Sequence, residues 1–493
     1  MPCRQRPAGG FVAVVTKQIE AGRALTDIYP ARFCTLCRKE DAMSKQRIQL
    51  SDHFTYSRLL RFVLPCIGTM LFTSIYGIVD GLCVSNFVGK TAFAAVNLIM
   101  PLPMLLGTIG FMLGTGGSAI VGITLGEGDR EKADRYFSLF VWTGLILGIV
   151  LSAIGILAVR PAAQLLGASG EMLDYSVRYG RILMLSLPTF ILQNMFQSFF
   201  VTAEKPYLGF AFTVAAGLTN MVLDVVLVGM LHGGVEGAAI ATFISQAVGG
   251  VLPVFYFFSR RSTSSIHLGR AQWNGGVIRS ACINGSSELM TNLSMSLVNI
   301  LYNYQLLRFA GENGVAAYGV IMYAAFLFVA VFVGYAVGSA PIVSYHYGAR
   351  NHAELNNLYS KSLRLIGVIA VVMTALSMLV IPYVARIFVG YDAELLALTS
   401  HAFRVYALNF FLMGFNVYGS SFFTALGDGV TSALISFLRT LLFQLLALIF
   451  LPMVLGIEGV WLAVTAAEAG ALCVTVLMFI TKDKVFHYRK ASC

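Results

Sequence analysis

Charge is scarce in this chain. Asp, Glu, Lys and Arg make up 12% of its 493 residues, against about 25% in a soluble domain, so a water-soluble globule is a poor fit. Alternating apolar and polar segments of about ten residues are missing, which argues against a transmembrane β-barrel. No G-x-x-x-x-G-K-[ST] loop occurs, which argues against direct nucleotide drive. Cysteines number eight. Cys34 and Cys37 form one CxxC with no second pair and no neighbouring His, too little for a zinc or redox site. Cys66, Cys83, Cys282 and Cys473 lie in apolar runs and read as small packing residues.

What the chain has instead is apolar length. Hydrophobic residues make up 57% and the mean hydropathy is +0.76. Runs near twenty residues recur, each long enough to cross a bilayer. The expected fold is all-α and polytopic, with twelve transmembrane helices at 58–84, 92–120, 136–159, 180–203, 207–229, 236–258, 277–307, 316–340, 361–388, 401–425, 430–454 and 459–480. The net charge of +10 reads as topology rather than nucleic-acid binding, because the basic residues sit in short loops. Lys45, Arg47, Arg130, Lys132, Arg135, Lys205, Arg350, Lys361 and Arg364 fall on one side; Lys90, Arg160, Arg178, Arg308 and Arg386 fall on the other. The richer side is expected to be cytoplasmic, with both termini there.

The first 53 residues are expected to be a disordered cytoplasmic extension. The stretch 1–42 is polar and basic, and Met43 opens a run that reads like a natural start. The remainder divides into an N-lobe (54–258), a linker (259–275), a C-lobe (276–480) and a tail (481–493). The lobes repeat. "GGVEGAAIAT" from Gly233 matches "LGIEGVWLAVT" from Leu455, with Gly234 on Gly456, Glu236 on Glu458 and Gly237 on Gly459, a shift of 222 each time (456 − 234 = 222). Thr202 on Thr424 and Gly126 on Gly348 keep that shift. Six spans per half give both halves the same orientation, so the expected architecture is two parallel-repeat six-helix lobes about an axis along the membrane normal, with a cleft between them.

"IYGIVDGLCVSNFVG", "GTGGSAIVGITLGEGDREKA", "TNMVLDVVLVG", "EGAAIATFISQ" and "GSAPIVSYHYGARN" together resemble the multidrug and toxic compound extrusion (MATE) family, most of all its bacterial multidrug antiporters. The resemblance runs from about residue 54 to 480. It departs at His346, where that branch more often carries Asn, which leaves the role of position 346 open.

Buried acids are the next signal, since insertion of one at a helix centre costs about 2.5–3.5 kcal/mol. Asp80 and Lys90 are the charges between Phe62 and Gly126. Asp224 lies ~9 Å from the outer end of span five, taking 1.5 Å per residue. Asn220 is one turn away on the same face, and Thr242 reaches a similar depth in span six. Two carboxylates with amide and hydroxyl oxygens make a proton or hard-cation site. The resemblance agrees, because these four positions match the family's N-lobe cation-coupling site; with Na⁺, Asp80 and Asp224 would be the metal ligands. The structural alternative is four separate helix contacts. Glu288, the charge between Ser280 and Leu307, lies near the midplane and matches the intramembrane Glu of the family's seventh helix. It is the expected substrate or proton contact, against a buried structural acid.

Arg439 and Glu468 each stand alone in an apolar span; Arg439, near the cytoplasmic end, is expected to snorkel or to bond helix to helix, against a substrate contact, and Glu468 is open between the two. Glu236 and Glu458 read as structural acids at helix starts. Met100, Met104 and Met112 read as packing.

These features imply an ion-coupled transporter rather than an enzyme, a multi-pass monomer of the cell membrane. It would export amphipathic, cationic small molecules, drugs or metabolites, in exchange for H⁺ or Na⁺, without a cofactor or nucleic-acid partner. The rival readings are a flippase for a lipid-linked precursor, which would call for a basic cavity, and an intramembrane aspartyl enzyme built on Asp80 and Asp224.

Overall fold

Inside hydrocarbon a segment must satisfy its own backbone hydrogen bonds, so the apolar runs become helices. The computed structural model describes residues 48–88, 90–259 and 262–489, apart from the side chains at 78, 80–87 and 90. Strands are absent among the described residues. Leu50–Cys493 is one unit by its contacts and is described by itself.

Span one is α1 (Tyr56–Val88). Span two is broken: α2 (Lys90–Ile99) stops at Met100, and Pro101 and Pro103 open α3 (Pro101–Gly126), since proline lacks the N–H a continuous helix needs but is tolerated in a first turn. Spans three and four are α4 (Arg130–Leu165) and α5 (Gly170–Thr202). Span five is α6 (Pro206–Leu223), which continues as a π-turn, Asp224–Met230; span six is α7 (Gly234–Phe258). Span seven starts as α8 (Gly275–Asn284), breaks at Gly285 and resumes in α9 (Ser286–Gly348). α9 is 63 residues long because it merges the rest of span seven with span eight across Gly311 (φ 60°, ψ −149°). Span nine is α10 (His352–Val389), span ten the bent pair α11 (Ala393–Ala407) and α12 (Phe410–Ala425). Span eleven is α13 (Gly429–Phe437), a π-turn Leu438–Leu442 and α14 (Phe443–Leu455); span twelve is α15 (Ile457–Thr481).

Ten helices are long and apolar enough to cross a membrane, and the α11–α12 pair, bent by 46°, makes an eleventh crossing. Dividing α9 at Gly311 brings the number to the expected twelve. Several helices outrun their apolar stretches. Span three extends from 136–159 to Arg130–Leu165, because Asp129 caps it by accepting a hydrogen bond from the Lys132 N–H at 2.9 Å. Its counterpart 222 residues on, Asn351, caps span nine through Glu354 N–H at 3.1 Å.

Two separate apolar cores form. One draws on residues between 92 and 281 and is knitted by Phe137, Phe196, Phe199, Phe200 and Phe257. The other draws on residues between 298 and 464, around Tyr302, Tyr318, Phe328, Phe410 and Trp461. These are the two lobes. They meet where spans two and eight end, and they meet symmetrically. A Cβ on Gly126 would lie 2.0 Å from the Tyr345 carbonyl oxygen, and a Cβ on Gly348 would lie 2.0 Å from that of Ile123. The 222-residue shift maps one contact onto the other, Gly126 onto Gly348 and Ile123 onto Tyr345. Higher up, Gly116 abuts Gly285 N while Gly338 abuts Val63, again a related pair of contacts. Only glycine lets two helix backbones approach this closely.

The same end carries a clasp. Leu50 N–H donates to Glu204 Oε1 (2.7 Å) in the N-lobe, and Phe54 N–H donates to Glu354 Oε1 (2.9 Å) in the C-lobe. His53 Nδ1 lies 2.6 Å from Glu354 Oε2, and Lys361 Nζ donates to the Phe54 carbonyl (2.7 Å). The Phe54 ring is buried edge-on against His346, which gives position 346 a packing role. Residues 50–53 therefore belong to the helical body, a correction to the extension drawn through residue 53. Backbone N–H groups finding carboxylates on both lobes hold them there, a pairing invisible in local composition. Residues 1–47, with Met43 and the Cys34/Cys37 pair, lie outside the described residues.

Candidate functional site

The first candidate group lies in the N-lobe. Span five places Asn220 and Asp224 one turn apart on its buried face, at 2% and 0% exposure. Asp224 opens the π-turn; such turns widen a helix locally and recur at functional positions. Span one packs close by, since a Cβ on Gly217 would touch Phe72 and Tyr76. Span six packs on the other side, with Gly233 and Gly237 against the Leu227 carbonyl. Thr242 is half-buried in span six and donates its hydroxyl to the Ala238 carbonyl at 3.1 Å, on its own helix. Asp80 lies in α1, and its side chain is outside the described ones.

The second group lines a cavity of about 400 Å³ between the lobes, a size suited to a small organic molecule. Most of its wall comes from the C-lobe, with Met70, Thr73 and Ser118 contributed from the N-lobe. Glu288 is on this wall, in the first turn after the break at Gly285. The break is wedged: a Cβ on Gly285 would lie 1.9 Å from the Met112 carbonyl, and Asn284 Nδ2 donates to the Thr424 carbonyl at 2.9 Å. A discontinuous helix thus presents a carboxylate at its own positive end, inside the bundle. The methionines on the wall are Met70, Met295, Met322 and Met413, not those of span two singled out in the sequence.

Arg439 and Glu468 do not stand alone. Arg439 Nε donates to Glu468 Oε1 at 2.8 Å, and both line the cavity. The π-turn Leu438–Leu442 carries Arg439. Glu468 is further held by Asn416 Nδ2, 2.7 Å from Oε2, and Asn416 Oδ1 accepts from the Thr475 hydroxyl at 2.9 Å. Arg439 therefore bonds helix to helix rather than snorkelling out. A separation of 29 positions hides the pair in a one-dimensional reading; the signal available was that the C-lobe's two unexplained charges were opposite in sign. Arg439 is also near enough to Glu288 for their charges to interact. Glu236 and Glu458, at equivalent helix starts, meet Arg178 (3.5 Å) and His401 (2.8 Å) at half-exposed sites, which fits their structural reading.

Two pseudo-symmetric helical lobes, sealed together at one end around a small, largely apolar cavity that carries a few charged groups, define a membrane transporter of the two-lobe class. Known proteins agree. The family model described as MatE matches residues 65–226 and again 289–449, once in each lobe. A multidrug export protein MepA of Staphylococcus haemolyticus is 23% identical over 437 residues, covering 88% of this chain and 95% of that protein; the Staphylococcus saprophyticus MepA is 22% identical over 434 residues, covering 87% and 95%. An outward-facing multidrug resistance MATE transporter superposes with a TM-score of 0.84 at 24% identity, over 90% of this chain and 99% of that one. A Pyrococcus furiosus transporter of the MOP superfamily with a binding pocket of reverse polarity superposes with a TM-score of 0.81 at 24% identity, over 88% of this chain and 97% of that one. The chain belongs to the MatE family and is a transporter, not an enzyme.

Proposed function

We propose that this protein is a multidrug antiporter of the cell membrane. It takes amphipathic, cationic small molecules into the cavity between its lobes and exports them in exchange for H⁺ or Na⁺. The observation that carries the reading is the cavity itself: apolar for most of its surface, lined by two acids and a single base, with that base already paired. A carboxylate at Glu288 among Tyr302, Tyr318 and Phe326 attracts a lipophilic cation by charge and by ring face. A lipid-linked pyrophosphate would need the opposite polarity. Coupling is assigned to Asp80, Asn220, Asp224 and Thr242, where an arriving ion neutralises carboxylates that are costly to keep charged.

Efflux of a cationic dye from loaded vesicles under an imposed pH or Na⁺ gradient tests the whole reading, and a dye flux indifferent to both gradients would overturn it. Glu288→Gln keeps the volume and loses the charge. It is expected to weaken export of cations while sparing neutral compounds; equal loss of both would reassign Glu288 to coupling or structure. On the positive-inside rule, the proposed topology has both termini and the 259–275 linker in the cytoplasm. Single cysteines in that linker should accordingly react with an impermeant maleimide from the cytoplasmic face alone. Reaction from outside would invert the topology.

A further inference from the structure

We propose that Arg439 is an anion subsite in the central cavity, so that the preferred cargo is a zwitterion, with its cationic end at Glu288 and a carboxylate or similar group on the guanidinium. The proposal rests on the export reading and refines its substrate class.

A guanidinium has five N–H donors in a planar fork. Among the described residues, Glu468 is the one hydrogen-bond and ion-pair partner of Arg439, and it takes the Nε–H. The four N–H donors of the terminal amino groups remain, on a residue that lines the cavity. Glu468 is anchored from behind by Asn416, both at its second carboxylate oxygen and at its backbone carbonyl, and Asn416 by Thr475. The side chain of Glu468 is 2% exposed and that of Arg439 13%, so the acid is the buried support and the base is the face offered to a ligand. Ser436, Thr440 and Gln444 line the cavity from the same span.

The fold itself does not need this pair. In the 222-residue register Asn416 corresponds to Asn194, but Arg439 corresponds to Gly217 and Glu468 to Gln246. The N-lobe packs its equivalent helices without any charge at either position. A buried ion pair is at best weakly stabilising compared with apolar packing, so its presence on a cavity wall calls for a ligand. A simple anion is a poor candidate, because Glu288 and Glu468 would repel it. A zwitterion brings its own cation for Glu288 and leaves Arg439 bridging two carboxylates, one on its Nε edge and one on its amino groups.

The test uses two dyes of one skeleton: rhodamine B, which carries a free carboxylate beside its cationic xanthene, and its ethyl ester, which is a plain cation. Fluorescence anisotropy reads their binding to the purified protein. The wild type is expected to bind the free acid about tenfold more tightly than the ester, the size of one charge-assisted contact. Arg439→Gln should erase that preference, so that the two dyes bind alike. Because that variant strands Glu468, Arg439→Gln/Glu468→Gln, which keeps amides able to bond one another, is expected to give the same loss in a folded protein. Equal binding of acid and ester by the wild type, or an acid preference that survives both variants, overturns the proposal. Gradient-driven export of the ester is measured alongside: its failure would sink the export reading, whereas its success without an acid preference in binding would sink only the zwitterion.

Discussion

Asp224→Asn is expected to lower gradient-driven export by roughly a hundredfold, near the upper end of a coupling free energy of about 1–3 kcal/mol. The carboxylate is fully buried, with Asn220 one turn away and also buried. An ion arriving there shifts the balance between the two facing states by no more than its difference in affinity for them. An amide has no charge to neutralise, so the ion loses that difference. Insertion and folding should persist, because a neutral amide is less costly to bury than a carboxylate. Dye binding to the purified variant should survive better than transport. Asp80→Asn should match it, and the double variant should be no worse than either, since groups acting as one unit are not additive. The readout is initial dye efflux from energised vesicles for the four proteins. Two partial single losses that multiply in the double would mean that Asp80 and Asp224 act independently, and the shared site would be abandoned.

Gly348→Ala should be as damaging, by a different route. Its new Cβ would overlap the Ile123 carbonyl oxygen, a backbone atom 2.0 Å away that no side-chain rotation can move. Overpacking of this kind costs about 1–3 kcal/mol, and the cost falls on the sealed arrangement of the two lobes. The population should therefore move toward the state in which this end is open, by roughly 5- to 150-fold by the same arithmetic. Gly126→Ala, at the related position against Tyr345, should behave alike. Gly319→Ala serves as the control, because its Cβ position meets nothing within 4 Å beyond its own helix backbone and chain neighbours. A reporter cysteine at Ser344, which faces Gly122 across the same interface, should react faster with a thiol reagent in both glycine variants while export falls. Normal export by Gly348→Ala would show that this contact is not part of the transport cycle.

The twelve crossings, the two-lobe repeat and the family were legible in the amino-acid order, and for physical reasons. Backbone satisfaction in a bilayer turns each long apolar run into a helix whatever its neighbours do. A duplicated unit keeps its glycines, caps and helix starts at a constant shift, so Gly126 and Gly348, Asp129 and Asn351, or Glu236 and Glu458 can be paired by counting. Asp224 and Glu288 stood out because a charge in an apolar run is costly wherever that run ends up. The tertiary structure decided the rest. Pairing of Arg439 with Glu468, the clasp from Leu50 and Phe54 to Glu204 and Glu354, and the break at Gly285 that presents Glu288 depend on which helix faces meet. Those faces are chosen by packing among residues tens to hundreds of positions apart, where a glycine admits a neighbouring backbone and a larger side chain does not. Periodicity along one helix carries no trace of that choice, because the partner that makes it lies on another helix.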